Sequence, residues 1–184
     1  IFSSDRSAHG TALRRYFDGA VLIHFHWVCD LLDYSDCLRE KWIQVPLVWT
    51  LHDMSPFTGG CSYSLGCEKY EGDCADCPQL ADMEAKAEAE ASLRRKVRAM
   101  GRMRRGTVIT PSYWLGELAR RSAVFAEWDL EVIPNGVDLT VFAPDVREAA
   151  RRQAGFGESD FVILFVAASL ENPLKGMDTL LEGL

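Results

Sequence analysis

His52 and Asp53 have a clear capacity for chemistry, and they close the apolar run LVWTL from Leu47 to Leu51. An imidazole at such a place can donate a hydrogen bond to a hydroxyl or a phosphate, or carry a proton. A structural histidine satisfied by backbone is the competing reading. Short β-branched and aromatic runs bounded by turn residues form buried strands, and open parallel sheets take their ligands outside the carboxyl ends of the strands. His24 and His26 lie in an earlier run, AVLIHFHW, between Ala20 and Trp27. They alternate with Ile23, Phe25 and Trp27, so a strand places both on one side. They read as hydrogen-bonded core residues or, with His52, as a metal cluster that the spacing does not demand.

After Asp53 come Gly59 and Gly60, then Cys61, Cys67, Cys74 and Cys77, spaced C-x5-C-x6-C-x2-C. The last pair has the spacing of a zinc half-site, since two thiolates so placed can grip one tetrahedral ion. A closed, structural zinc is the preferred reading; free buried thiols or a disulfide are the alternatives. Farther on, Lys175-Gly176 follows an apolar run and precedes a helical pattern. Free N–H groups at a helix start and a lysine charge together suit a phosphate. No G-x-x-x-x-G-K-[ST] or G-x-G-x-x-G pattern occurs, so neither a P-loop nor a dinucleotide fingerprint is present.

The elements that must position these residues alternate between strand and helix. Residues 11–17 and 29–42 are predicted helices, the latter with Leu31, Leu32, Leu38 and Trp42 as apolar positions. Residues 81–105 give the clearest helix, with acidic residues first and basic residues last, as the helix dipole favours. Its basic end, which includes Arg94, Arg95, Lys96, Arg98, Arg102, Arg104 and Arg105, is predicted to be a solvated face, or else a contact for an anionic membrane surface. Residues 107–110 form a strand, Ser112 caps a helix through Arg121, residues 130–133 form a strand, and Pro134-Asn135-Gly136 turns the chain. Residues 146–154 are helical and stop at Gly155, and FVILFVAA, residues 161–168, is the most apolar predicted strand. The pattern argues for parallel βαβ units in an α/β fold.

The chain has 184 residues, of which 48% are hydrophobic and 26% charged, with a net charge of −7. That is a globular profile with no electrostatic support for nucleic-acid binding. No apolar stretch is long enough to span a bilayer, and no export signal is visible. An opening Ile and a closing GMDTLLEGL that reads as a helix cut short suggest sequence beyond both ends.

The segment VWTLHDMSPFTGGCSYSLGCEKYEGDCADCP resembles the signature of bacterial GT-B glycosyltransferases of the colanic-acid and exopolysaccharide type, which are family 4-like. PSYWLGELARRS, VIPNGVDLTVFAP and the final strand with LKG agree and occur in family order. The resemblance implies Rossmann-like parallel sheets of a GT-B fold, truncated at both ends. Residues 1–144 would be the rear part of the N-terminal, acceptor-side domain, with the cysteine loop at 59–78. Residues 145–184 would begin the C-terminal, donor-binding domain.

The activity so implied is transfer of a hexose from a nucleotide sugar to a saccharide or lipid-linked saccharide, with retention and without a catalytic metal, in cytoplasmic polysaccharide synthesis, with peripheral contact at the inner membrane face as a further expectation. His52 would be the catalytic residue near the transferred sugar, with Asp53, Gly59, Gly60, Asn135, Lys175 and Gly176 binding substrates and Lys175 meeting the donor diphosphate. Three departures stand out. Ser55 replaces a frequent tryptophan, AASLENPL lacks the expected arginine before the lysine, and the acidic donor motif does not occur, so this segment alone is expected to be inactive. The rival reading is a non-enzymatic, zinc-stabilised α/β binding module.

Overall fold

Four short apolar segments pair in the order of the chain. In a computed structural model, which describes residues 2–38, 45–103, 106–143 and 146–184, they are β1 (Ile23–Phe25), β2 (Leu47–Thr50), β3 (Gly106–Thr110) and β4 (Asp129–Val132). All three pairings are parallel, and the sheet order is β1-β2-β3-β4. With helices between the strands this is the α/β, Rossmann-like architecture that the alternation predicts. The registers Phe25↔Trp49 and Trp49↔Val108 put three apolar side chains side by side in the core. Trp49 is fully buried and meets Phe25, Tyr34 and Phe125 ring to ring.

The helices start where the sequence supplies caps. Asp82 accepts from the Ala85 N–H and opens α3 (Met83–Met100); Ser112 accepts from the Leu115 N–H and opens α4 (Tyr113–Arg121). For clarity, the earlier helices are α1 (Gly10–Phe17) and α2 (Tyr34–Cys37), and the later ones α5 (Arg147–Ala154) and α6 (Met177–Glu182). Gly155 ends α5 at φ 79°, and its N–H returns to the Arg151 and Arg152 carbonyls.

Two predicted elements differ. Among the described residues of the helix expected over 29–42, only α2 is helical; Leu32 and Leu38 are buried as expected, while Leu31 is exposed. Asp30, inside that range, takes φ 59°, which no helix admits. The Trp42 position lies outside the described residues. Residues 161–168 form no strand: Phe161 is 91% exposed, and a strand exists only when a partner satisfies its backbone.

The chain divides into two compact units, Ile1–Asn135 and Gly136–Leu184. The first holds the sheet and the buried core. The second contains α5, a 3-10 turn at Pro173–Lys175 and α6, none of which has a buried residue.

Candidate functional site

The outward side chains of β1 and β2 meet in rungs. Ile23, Phe25, Leu47 and Trp49 face the core, so the intervening residues must point the other way. His24 Nε2 lies 2.8 Å from Thr50 Oγ1, His26 Nδ1 lies 3.1 Å from His52 Nε2, and Cys29 Sγ lies 3.3 Å from Ser55 Oγ. Each pair is 26 residues apart. In the strand register His24 lies beside Val48, so the His24–Thr50 contact is diagonal, reaching two residues farther along β2. The His24 and His26 rings are 4.3 Å apart, and those of His26 and His52 lie edge to edge, 5.4 Å between centres, with an interplanar angle of 26°. Partial burial and the neighbouring His26 hold the His24 pKa below its ordinary value. The buried Trp49 indole donates to the His26 carbonyl at 3.2 Å and so pins the end of β1.

Asp53 follows in a tight side-chain turn. Its Oδ1 accepts from the Ser55 N–H at 2.8 Å and from the Ser55 hydroxyl at 2.7 Å. The 3-10 turn Ser55–Phe57 is wholly buried and is held from beneath by Lys96. The Lys96 ammonium donates to the Ser55 carbonyl at 2.7 Å and to the Thr58 carbonyl at 3.0 Å, and it lies 5.4 Å from the centre of the Tyr34 ring. Lys96 is 2% exposed. The predicted solvated basic face of α3 is therefore corrected at this residue. Arg95 is also engaged, in a two-bond pair with the buried Asp5 and a bond to Glu88, and Arg94 pairs with Glu90. Arg98 and Arg102 stay exposed, while Arg104 and Arg105 lie outside the described residues.

Gly59 and Gly60 are buried and pack against other backbone. A Cβ on Gly59 would stand 2.5 Å from the Ala89 carbonyl oxygen on α3. Gly60 takes φ +134°, and a Cβ there would stand 2.8 Å from the Ser3 carbonyl oxygen. Both glycines let the loop lie flat on its supports.

Cys61, Cys74 and Cys77 are buried, Cys67 is half-buried, and none forms a disulfide. Burial raises the Cys61 thiol and pushes Cys74 to about 11, although the Gly59 N–H donates to Cys74 Sγ at 3.3 Å. Among the described residues no group of three or more His, Cys, Asp or Glu is arranged to hold a metal ion.

The remaining expected site residues lie elsewhere. Asn135 is exposed at the end of the first unit. Lys175 is exposed and closes the 3-10 turn in the second unit, with Gly176 at φ 76° before α6. Lys96, Ser55 and Cys29 were not singled out as site residues in the sequence. The spacing that brings His26 to His52 also brings Cys29 to Ser55, but it differs from the strand register, which sets Phe25 beside Trp49, so sequence gives no direct signal for those two.

The family model described as Glycosyltransferase Family 4 matches residues 5–141. A protein carrying the name colanic acid biosynthesis glycosyl transferase WcaC, from Escherichia coli (strain K12), is 27% identical over 150 residues, which is 71% of this chain and 36% of that protein. D-inositol 3-phosphate glycosyltransferase of Geodermatophilus obscurus is 51% identical over 51 residues, 28% of this chain and 11% of its own length. The protein of the same name from Segniliparus rotundus is 42% identical over 55 residues, 30% of this chain and 12% of its own. No solved structure matches the chain. The family match spans the whole sheet, its histidine rungs and the cysteine loop, and the chain belongs to glycosyltransferase family 4.

Proposed function

We propose that this chain is part of a retaining hexosyltransferase of polysaccharide synthesis, with a nucleotide sugar as donor and a saccharide or lipid-linked saccharide as acceptor. The observation that carries the reading is His52, exposed at the carboxyl end of β2 within the family match. In the reaction the bond from the hexose anomeric carbon to the diphosphate oxygen breaks, a bond to an acceptor hydroxyl oxygen forms, and the hydroxyl proton passes to the departing diphosphate. His52 contacts the transferred sugar and Asp53 binds beside it, while Gly59 and Gly60 shape the loop that follows. Asn135 and Gly176 contribute backbone near the substrates, and Lys175 stabilises the charge that develops on the departing diphosphate. The transfer uses no catalytic metal and takes place in the cytoplasm, and the exposed arginines at the end of α3 favour contact with the inner membrane face.

The test is turnover of UDP- and GDP-hexoses by the intact protein with a lipid-linked saccharide acceptor. We expect His52→Ala to lower kcat by about 100-fold or more, and an NMR spectrum of the product to show the donor's anomeric configuration. Unchanged turnover in His52→Ala removes the assignment.

The cysteine loop supports a separate structural proposal. The four cysteines form no disulfide, and the neighbouring Cys67 and Cys77 add to burial in raising the Cys61 and Cys74 thiols. We propose that Cys61, Cys67, Cys74 and Cys77 close around a structural zinc that draws the thiolates together. Purified protein should contain one equivalent of zinc, with thiols unreactive until a chelator is added. Metal-free, folded protein with four titratable thiols overturns it.

A further inference from the structure

The pairing of His26 with His52 has a chemical consequence. Each imidazole has two nitrogens, and the 3.1 Å contact uses Nδ1 of His26 and Nε2 of His52. One proton fits between them, so one ring donates and the other accepts. A neutral imidazole favours the proton on Nε2. If His52 donates from Nε2 and His26 accepts at Nδ1, both rings keep that favoured form. His52 Nδ1 is then a bare acceptor with no partner among the described residues. The rings lie edge to edge, 26° from parallel, as an in-plane hydrogen bond requires, and the Trp49 indole donates to the His26 carbonyl and so fixes His26 from its backbone.

We propose that His26 is the positioning residue for His52: by accepting its Nε2 proton, it turns His52 Nδ1 into the acceptor that meets a sugar hydroxyl. This rests on the reading of His52 as the residue that contacts the sugar. His24, the neighbour whose ring meets His26, is hydrogen-bonded to Thr50, and the nearby chain segments hold Asp53 and Cys29, both bonded to Ser55. His24 stands 4.3 Å from His26, centre to centre, so a second positive charge in the row is opposed.

The test uses the intact protein with histidine labelled in 15N. Imidazole shifts in the alkaline range should show His52 protonated at Nε2 and bare at Nδ1. Two variants then separate hydrogen bonding from packing. His26→Phe keeps an aromatic ring beside His52 but has no acceptor, whereas His26→Asn puts a polar group where Nδ1 stands and has no ring. With UDP- and GDP-hexoses as probes, we expect His26→Phe to lower kcat by about tenfold or more and His26→Asn to recover most of it. His52 in the Phe variant should show a mixture of tautomers. Full activity in His26→Phe, equal losses in the two variants, or His52 bare at Nε2 in the wild type overturns the proposal. Normal turnover in His52→Ala would instead overturn the reading beneath it, and the NMR result would still decide the pairing.

Discussion

Burial lowers the Lys96 pKa to about 8, and the nearby Asp5 carboxylate opposes that shift only in part. The lysine of the unfolded chain keeps its ordinary value of 10.5. Between these values the unfolded chain binds more protons than the folded one, so stability rises with pH through this window. Below about pH 8 the lysine is charged in both states and its effect on stability is constant. Urea unfolding from neutral to alkaline pH should show wild type gaining stability relative to Lys96→Met, by no more than about 3 kcal/mol in all. A pH-independent difference would show that Lys96 is not held in a dry site. Asp5 works with the opposite sign. Burial pushes its carboxyl up, but the two hydrogen bonds and the charge of Arg95 outweigh it, and the pKa ends below the ordinary value. The stability so gained is present above the unfolded carboxylate pKa and fades as pH falls through the lower folded one. Asp5 is 1% exposed. Asp5→Ala, which leaves Arg95 half-paired, should cost about 3 kcal/mol at neutral pH, and the variant should lose less stability than wild type on acidification.

α3 acts as the bed on which the site loop lies. It offers Lys96 to the turn at residues 55–58 and the Ala89 backbone to Gly59. A methyl group at Gly59 would stand 2.5 Å from the Ala89 carbonyl oxygen, so Gly59→Ala must lift the loop from the helix. We expect a loss of about 2 kcal/mol or more by urea unfolding. An unchanged midpoint would mean that the loop does not rest on α3. The helix itself was legible, because Asp82 and the run of helix formers mark its start and composition. Which basic residue turns inward was not, since Lys96 looks in sequence like its exposed neighbours Arg94 and Arg98. Its burial depends on carbonyls 38 and 41 residues away. The strand cores were legible from Leu47 to Thr50 and from Thr107 to Thr110, where the period is short and the residues apolar. The histidine row was half legible. Alternation placed His24 and His26 on one side, but pairing with Thr50 and His52 needs the β1–β2 register, which no local pattern states. The cap of the predicted helix at residues 29–42 went unseen for a similar reason. Asp33 starts α2 by accepting from the Asp36 N–H, several residues later than the apolar spacing suggests.

At the scale of the molecule, the apolar run at residues 161–168 is the least reconciled part of the chain. Phe161, Leu164 and Val166 are all largely exposed, and the run pairs with nothing among the described residues. Leaving four or more large apolar side chains in water forgoes several kcal/mol of burial, and an unpaired apolar strand is an aggregation hazard. Parallel strands of α/β sheets, by contrast, are apolar on both sides because helices cover both faces. The composition of this run fits that second environment. The chain spans 36% of the WcaC sequence that it matches. We therefore predict that in the intact protein residues 161–168 are the central strand of a second parallel sheet. Hydrogen exchange should then show their amides protected by about 1,000-fold or more relative to the isolated 184-residue chain, as expected for core strands. Replacing Ile163 with Asp should lower the solubility of the intact protein by uncovering its neighbours and raise that of the isolated chain by breaking the sticky run. Equal exchange in both forms, or the same solubility change in both, would mean that this run is a surface segment and that the second unit is built on some other core.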